Sequence, residues 1–325
     1  MTRMPVKEFA ELCRKILKKH EFSDEEVDVC TEEIVEGQCR GRQSHGAAII
    51  REVLEWKKDT AGTIEIRNES AVSAHIIGNN NIGPVVAQQA MDLAIAKALS
   101  NEIGIVGVDN KTSFILAGYN PRRAALQGLI GVNWTVAFSK AAPYGSADPI
   151  IGTNPIGIAI PSKDGPIVLD IAITEIAAAE IRRCNRLGIP LPEGVAISKE
   201  GHPTTDPKDA LEGAMLPFGG YKGSGLGIII ELLGGPFVGA KAGKSVPGNR
   251  GMVFLAMQSD MFVPKDKFLT QVSTFVSELK HSRLREGFEE TLLPGERADK
   301  LLTKSYNEGI EIDDRIYEEL KKLGA

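Results

Sequence analysis

Apolar residues recur at helical spacing near both ends of this chain, and the stretch between them breaks into short strand-like runs punctuated by glycine and proline. At the start, Val6, Phe9, Leu12, Cys13, Ile16 and Leu17 mark one face of a helix. Ser23-Asp24-Glu25-Glu26 carries the capping-box signal of a second helix, expected to reach about Glu36. A third is expected to begin at Ser44, whose hydroxyl can cap the run from His45 to Trp56. Strands are expected over residues 71–77, 103–108, 129–137, 156–160, 167–173 and 252–258, and helices over 83–99, 174–187, from 226, and over 265–280. After Pro294 the pattern is helical again. Terminal helices around a strand-rich middle predict an α/β chain of α+β type. Residues 1–70 with 260–325 are expected to build one helical unit, and residues 71–259 a strand-rich one.

Two units also suit the length, because single cores stop growing near roughly 250–300 residues and this chain has 325. A net charge of −5 offers no electrostatic reason for a nucleic-acid or anionic-membrane partner. The N-terminus turns charged before any apolar run forms, so no signal peptide is expected. The longest apolar stretch, Leu226 to Ala240, is broken by Glu231 and by Gly234-Gly235-Pro236, too early to span a bilayer. Cys13, Cys30, Cys39 and Cys184 show no CxxC spacing. They predict neither a metal site nor a disulfide framework, and they suit a reducing cytoplasm.

Three features invite chemistry. A GxGxxG fingerprint after a first strand is absent, so a Rossmann reading has no support. Gly219-Gly220-Tyr221-Lys222-Gly223-Ser224-Gly225 follows a proline-rich loop and opens an apolar helix; its N–H groups and Lys222 could hold an anion, or it could be a tight turn. Gly239 to Ser245 resembles a Walker A loop but is one residue short and follows a helix. Ser44-His45-Gly46 places a histidine at an expected helix N-terminus, where the dipole disfavours imidazolium and favours a neutral base.

Taken together, five segments carry a resemblance. They are Arg40 to Gly46, Ile151-Gly152-Thr153-Asn154-Pro155-Ile156, Pro203 to Pro207, Leu216 to Gly225, and Pro294-Gly295-Glu296. In this order and spacing they resemble the type-2 malate/L-lactate dehydrogenase family, which also includes sulfolactate and ureidoglycolate dehydrogenases and cyclic-imine carboxylate reductases. The resemblance implies a non-Rossmann fold with a largely antiparallel sheet as the cofactor domain and a helical domain built from both termini. It also implies a homodimer, a nicotinamide cofactor (NAD or NADP) and a small carboxylate substrate. His45 matches the family's acid/base histidine, with Ser44 beside it. Asp170, Ile171, Ala172, Ile173 and Thr174 match a cofactor-binding strand and turn. Lys222 and Gly223 match cofactor contacts at the glycine-rich turn, and Gly295, Glu296 and Arg297 match a late loop that touches the cofactor.

The departures from the pattern are as specific. Ile49 stands where a carboxylate-binding arginine is common, and Ser113 where the family has a functional histidine. Val136 replaces an asparagine, Glu180 a lysine, and Ser198 the aspartate that often partners the catalytic histidine. With Ile49 in place, the substrate carboxylate needs another cation, and Arg40, Arg42 or a partner subunit's arginine are the alternatives. The expected function is therefore an oxidoreductase with a rebuilt pocket. The alternative is a paralogue that kept the scaffold and lost hydride transfer.

Overall fold

The computed structural model of the protein describes residues 1–248 and 250–324. The chain opens with strand β1 (Thr2–Met4) and helices α1 (Val6–Lys19), α2 (Asp24–Cys39) and α3 (Ile50–Lys57). Strands β2 (Glu65–Arg67) and β3 (Ser73–Ile77) lead into α4 (Gly83–Asn101), β4 (Ile103–Asn110), α5 (Tyr119–Leu126) and β5 (Leu129–Thr135). Then come β6 (Ile156–Ile160), β7 (Ile167–Ile171), α6 (Ala178–Leu187), and a small hairpin, β8 (Ala196–Ile197) and β9 (Ala214–Met215), around α7 (Pro207–Glu212). Helix α8 (Tyr221–Gly234), strand β10 (Arg250–Gln258) and helices α9 (Lys265–Lys280) and α10 (Glu296–Glu308) follow. Strand β11 (Ile310–Ile312) and helix α11 (Asp314–Gly324) close the chain.

Seven strands form the central sheet in the order β2-β3-β4-β10-β5-β6-β7. Only β3 and β4 run parallel, because α4 carries the chain back across the sheet between them; every other pairing is antiparallel. Strand β10 lies at the centre and is covered on both faces, which explains its nearly continuous apolar sequence. Met252, Phe254 and Ala256 pack toward Ala90, Met91 and Ala94 of α4. Val253, on the opposite face, packs with Val238 and Trp134.

The two ends of the chain close into one helical unit. β1 pairs antiparallel with β11, and Phe9, Ile16, Leu17 and Ile34 share a core with Ile310, Ile312 and Leu320. The expected capping box is formed: Ser23 Oγ accepts from Glu26 N at 3.3 Å and the Glu26 carboxylate accepts from Ser23 N at 2.7 Å. Helix α5 lacks a readable apolar period and was not expected from sequence. Strand β2 joins the large sheet although it lies within the first seventy residues.

Two buried carboxylates organise loops. Glu33 of α2 accepts the N–H groups of Ile115 and Leu116 at 2.8 and 2.5 Å, and burial pushes its pKa up to about 8. Glu231 of α8 accepts from Gly152 N, Asn154 Nδ2 and Gly243 N at 2.9, 3.1 and 3.0 Å. Asn154, at φ 33°, also accepts from Ala137 N and donates to Gly227 O. The Ile151 to Pro155 segment is thus a structural knot between sheet and α8. Glu231, which interrupts an apolar run in the sequence, is the acceptor that ties it.

Candidate functional site

His45 does not stand at an α-helix N-terminus. It ends a 3-10 turn, Gln43–His45, a second turn covers Ala47–Ile49, and α3 starts only at Ile50. The cause is Gly46, which lies so close to Gln38 that a Cβ there would meet its Oε1 at 2.2 Å. The same Gln38 Oε1 takes the Ala47 N–H at 2.9 Å. Ser44 is no cap either, since its Oγ lies 2.8 Å from His45 Nδ1. That contact leaves Nε2 as the nitrogen open to a reacting group. Burial holds the His45 pKa below the ordinary histidine value, with Asp170 raising it and Arg42 and Arg182 lowering it. The neutral imidazole expected from a helix dipole is therefore favoured, by desolvation and two nearby guanidinium groups instead.

Asp170 and Arg42 also line a cavity of about 190 Å³, together with Arg40, Gly118, Arg122 and Gly295. Asp170 accepts the Gly118 N–H at 3.0 Å, and Arg42 donates to the Asp170 carbonyl at 3.0 Å. Arg40 is fully engaged, bonding Glu36 at 2.7 Å and Asp299 at 2.6 Å, while Arg122 reaches the same Asp299 oxygen at 2.7 Å. Two arginines and two acids balance there, so Arg40 is not a free carboxylate-binding cation. Arg182 on α6 is exposed and has no hydrogen-bond or ion-pair partner among the described residues. Sequence reasoning missed it because nothing local marks a residue whose neighbour is 137 positions away in sequence, as His45 is.

The expected cofactor segments fall into two groups. Asp170, Ile171 and Gly295 border the cavity. Gly295 adopts φ 85°, and a side chain there would strike the Val168 carbonyl, with its Cβ at 2.7 Å. Glu296 has a structural task, its carboxylate holding Lys280 and the Leu293 N–H, whereas Arg297 is exposed and unpaired among the described residues. The second group surrounds the glycine-rich turn. Phe218 N bonds Ile173 O at 2.8 Å, Glu175 N bonds Leu216 O at 3.0 Å, and Gly219 N bonds the Glu175 carboxylate at 3.0 Å. These bonds tie residues 173–175 to the glycine-rich turn and delay α6 to Ala178, four residues later than the sequence suggested. Ile173 is fully buried and offers only backbone, and Ala172 is partly exposed. Thr174 Oγ1 is buried without a hydrogen-bond partner, and Lys222 at the start of α8 is exposed and unpaired among the described residues. Gly223 is closed against the Phe218 carbonyl, so its role is to let α8 approach.

His45 and Lys222 make no hydrogen bond to each other.

The departing residues are placed as follows. Ile49 packs on the terminal core. Ser113 is buried with its Oγ directed at the Phe114 carbonyl. Val136 is fully buried against Gly234 of α8. Glu180 is held by Arg183 at 2.6 and 2.8 Å, which lowers its pKa and offsets its charge. Ser198 donates to Glu200 at 3.0 Å, so the acid acting on His45 is Asp170.

Comparison with known proteins gives one consistent result. A family model described as malate/L-lactate dehydrogenase matches residues 4–321. The malate/(S)-sulfolactate dehydrogenase of Methanothermus fervidus is 36% identical, with 95% of this chain and 93% of that protein covered. The solved sulfolactate dehydrogenase of Methanocaldococcus jannaschii superposes with a TM-score of 0.92 at 35% identity, covering 99% of this chain and 96% of that one. The Delta(1)-pyrroline-2-carboxylate/Delta(1)-piperideine-2-carboxylate reductase of Pseudomonas aeruginosa is 29% identical, with 99% of each chain covered.

Proposed function

We propose that this chain, which belongs to the malate/L-lactate dehydrogenase family, interconverts a small 2-hydroxy acid and its 2-oxo acid, or reduces a cyclic imino acid, using NAD or NADP with His45 as acid/base. The observation that carries this reading is the setting of His45: an imidazole pushed toward its neutral form by burial and acted on electrostatically by Asp170 and Arg42, two residues that also line the cavity bordered by the expected cofactor segments.

The residues fit a nicotinamide dinucleotide. Thr174 Oγ1 is a buried hydroxyl with its hydrogen bond unmade, and Lys222 and Arg297 are cations without protein partners among the described residues. The 190 Å³ cavity is smaller than the roughly 300–1,000 Å³ of ordinary ligand pockets. A dinucleotide therefore has to continue along residues 170–174 toward the glycine-rich turn. Bound there, the cofactor supplies the hydride acceptor or donor. His45 takes the hydroxyl proton during oxidation and returns it during reduction. The names of the relatives support a substrate that carries a carboxylate.

Titration of the protein with NADH and NADPH, followed by a panel of malate, lactate, sulfolactate, their 2-oxo acids and cyclic imines, tests this reading. Saturable binding of one nucleotide and turnover of one panel member are expected. Absence of binding by both nucleotides at millimolar concentration would sink the oxidoreductase assignment and favour the scaffold-only alternative.

The same reading includes a homodimer. Ile228, Ile229, Leu232 and Leu233 of α8 and the adjacent Phe237 are all exposed. Contiguous apolar surface of this kind marks an interaction face, and a second copy is the proposed cover. Light scattering at micromolar concentration is expected to give twice the 35.0 kDa chain mass, with Ile229→Glu/Leu232→Glu shifting it toward monomer. A wild-type monomer would remove the dimer. A cytoplasmic location is also proposed, supported by four unpaired, buried cysteines. Among the described residues no helix is long and apolar enough to cross a membrane.

A further inference from the structure

Arg250 is a buried charge without an ion-pair partner among the described residues. It opens β10 in register with Asn110 of β4, and only 9% of it is exposed. Its Nε is buried with no hydrogen bond, and no carboxylate among the described residues forms an ion pair with it. The guanidinium carbon lies 3.7 Å from the centre of the Phe138 ring. A stacked ring orients a guanidinium but leaves its N–H donors unfilled. Burial pushes the Arg250 pKa down to about 10, with Glu52 of α3 pulling weakly the other way. Two other buried charges are answered: Glu231 receives three donors, and Lys97 bonds Glu69 and the Ser70 carbonyl. Leaving one arginine unanswered in a folded protein is costly, and a ligand anion is the usual relief.

Its position points to which ligand. Residues two apart on a strand share a face, so Arg250 lies on the side of Met252 and Phe254. The Phe254 ring meets Phe114 edge-on at 6.2 Å, which makes this the face that carries the Ser113-Phe114 segment. That segment continues into Ile115 and Leu116, held by Glu33 of α2, the helix that leads to His45. Glu52 of α3, the helix that follows His45, acts on Arg250 electrostatically. Arg40 is spent on Glu36 and Asp299, and Arg42 is engaged with the Asp170 carbonyl.

We infer that Arg250 binds the carboxylate of the substrate, as the stacked, desolvated cation on the sheet face that carries the Ser113-Phe114 segment. The assignment rests on the oxidoreductase reading of the His45 site. A guanidinium held flat by Phe138 can offer two parallel N–H groups to a planar carboxylate, which Lys cannot.

Oxamate, an unreactive 2-oxo-acid mimic with one carboxylate, and oxamide, its neutral counterpart, provide the test. Calorimetric titrations with and without NADH compare the wild type with Arg250→Met and Arg250→Lys. Arg250→Met is expected to weaken oxamate by about 10- to 100-fold, to leave oxamide and NADH affinities unchanged, and to keep or raise the melting temperature. Arg250→Lys is expected to bind oxamate more weakly than wild type and, if Arg250→Met does not fold, carries the comparison alone. Oxamate affinity equal to wild type in the folded variants overturns the assignment, as does a wild type that binds no oxamate. Failure of NADH and NADPH to bind any of the three proteins counts against the oxidoreductase reading instead, and the oxamate comparison still decides the role of Arg250.

Discussion

His45→Gln is expected to lower the turnover rate by about two to four orders of magnitude, the usual share of general acid–base catalysis, while nucleotide affinity stays near wild type. Glutamine keeps a polar side chain of similar reach but cannot exchange a proton near neutral pH. The pH profile gives a second reading. Burial is the largest cause of the lowered His45 pKa, so its midpoint lies below the ordinary value of about 6.5. Oxidation uses the neutral imidazole, so its rate rises with pH and is level above that midpoint. Reduction uses the imidazolium, so its rate falls as pH rises through the same midpoint. Steady-state rates of both directions from pH 5 to 8 check this, and an unchanged rate in His45→Gln would assign the base elsewhere.

Glu231→Ala is expected to cost about 3–5 kcal/mol of stability, since the Gly152 and Gly243 N–H groups lose their acceptor while Asn154 Nδ2 keeps only the Gly227 carbonyl. Glu231 is only 4% exposed, and Gly152 N, Asn154 Nδ2 and Gly243 N all donate to it. A loss of this size is a large part of the roughly 5–15 kcal/mol that holds a folded domain. Glu231→Gln keeps one acceptor oxygen and should lose less. Urea unfolding of the three proteins measures the differences, and a Glu231→Ala loss under about 1 kcal/mol would mean that water replaces the carboxylate.

These two residues show how unevenly the site was legible. His45 was singled out because Ser44-His45-Gly46 is a compact local signal set among four other segments in register. Glu231 was visible only as an interruption of an apolar run, and its use as a three-donor acceptor could not be read from that. Residues 174–177 were expected to be helical, since Thr174 to Leu187 has helical spacing. Pairing with Leu216 and Phe218 overrode that local preference. The same competition moved the start of α3, where Gln38 takes the Ala47 N–H and Gly46 packs against Gln38 too closely for a continuous helix.

Alone, the sequence determined the fold class, most of the longer helices and strands, and the family. Each depends on periodicities of 3.6 and 2 residues, or on short motifs, that adjacent residues carry. The state of the charges was decided by the tertiary structure. Arg40 is spent because Asp299, 259 residues away, lies 2.6 Å from it. Glu180 is offset by Arg183 one turn along α6. Arg250, in an ordinary-looking strand, is a buried cation left without an ion-pairing acid among the described residues. Coulomb and hydrogen-bond energies act over a few ångströms of space whatever the distance along the chain. Which charge is free to bind a ligand is therefore settled only when the fold has brought every other charge to its partner.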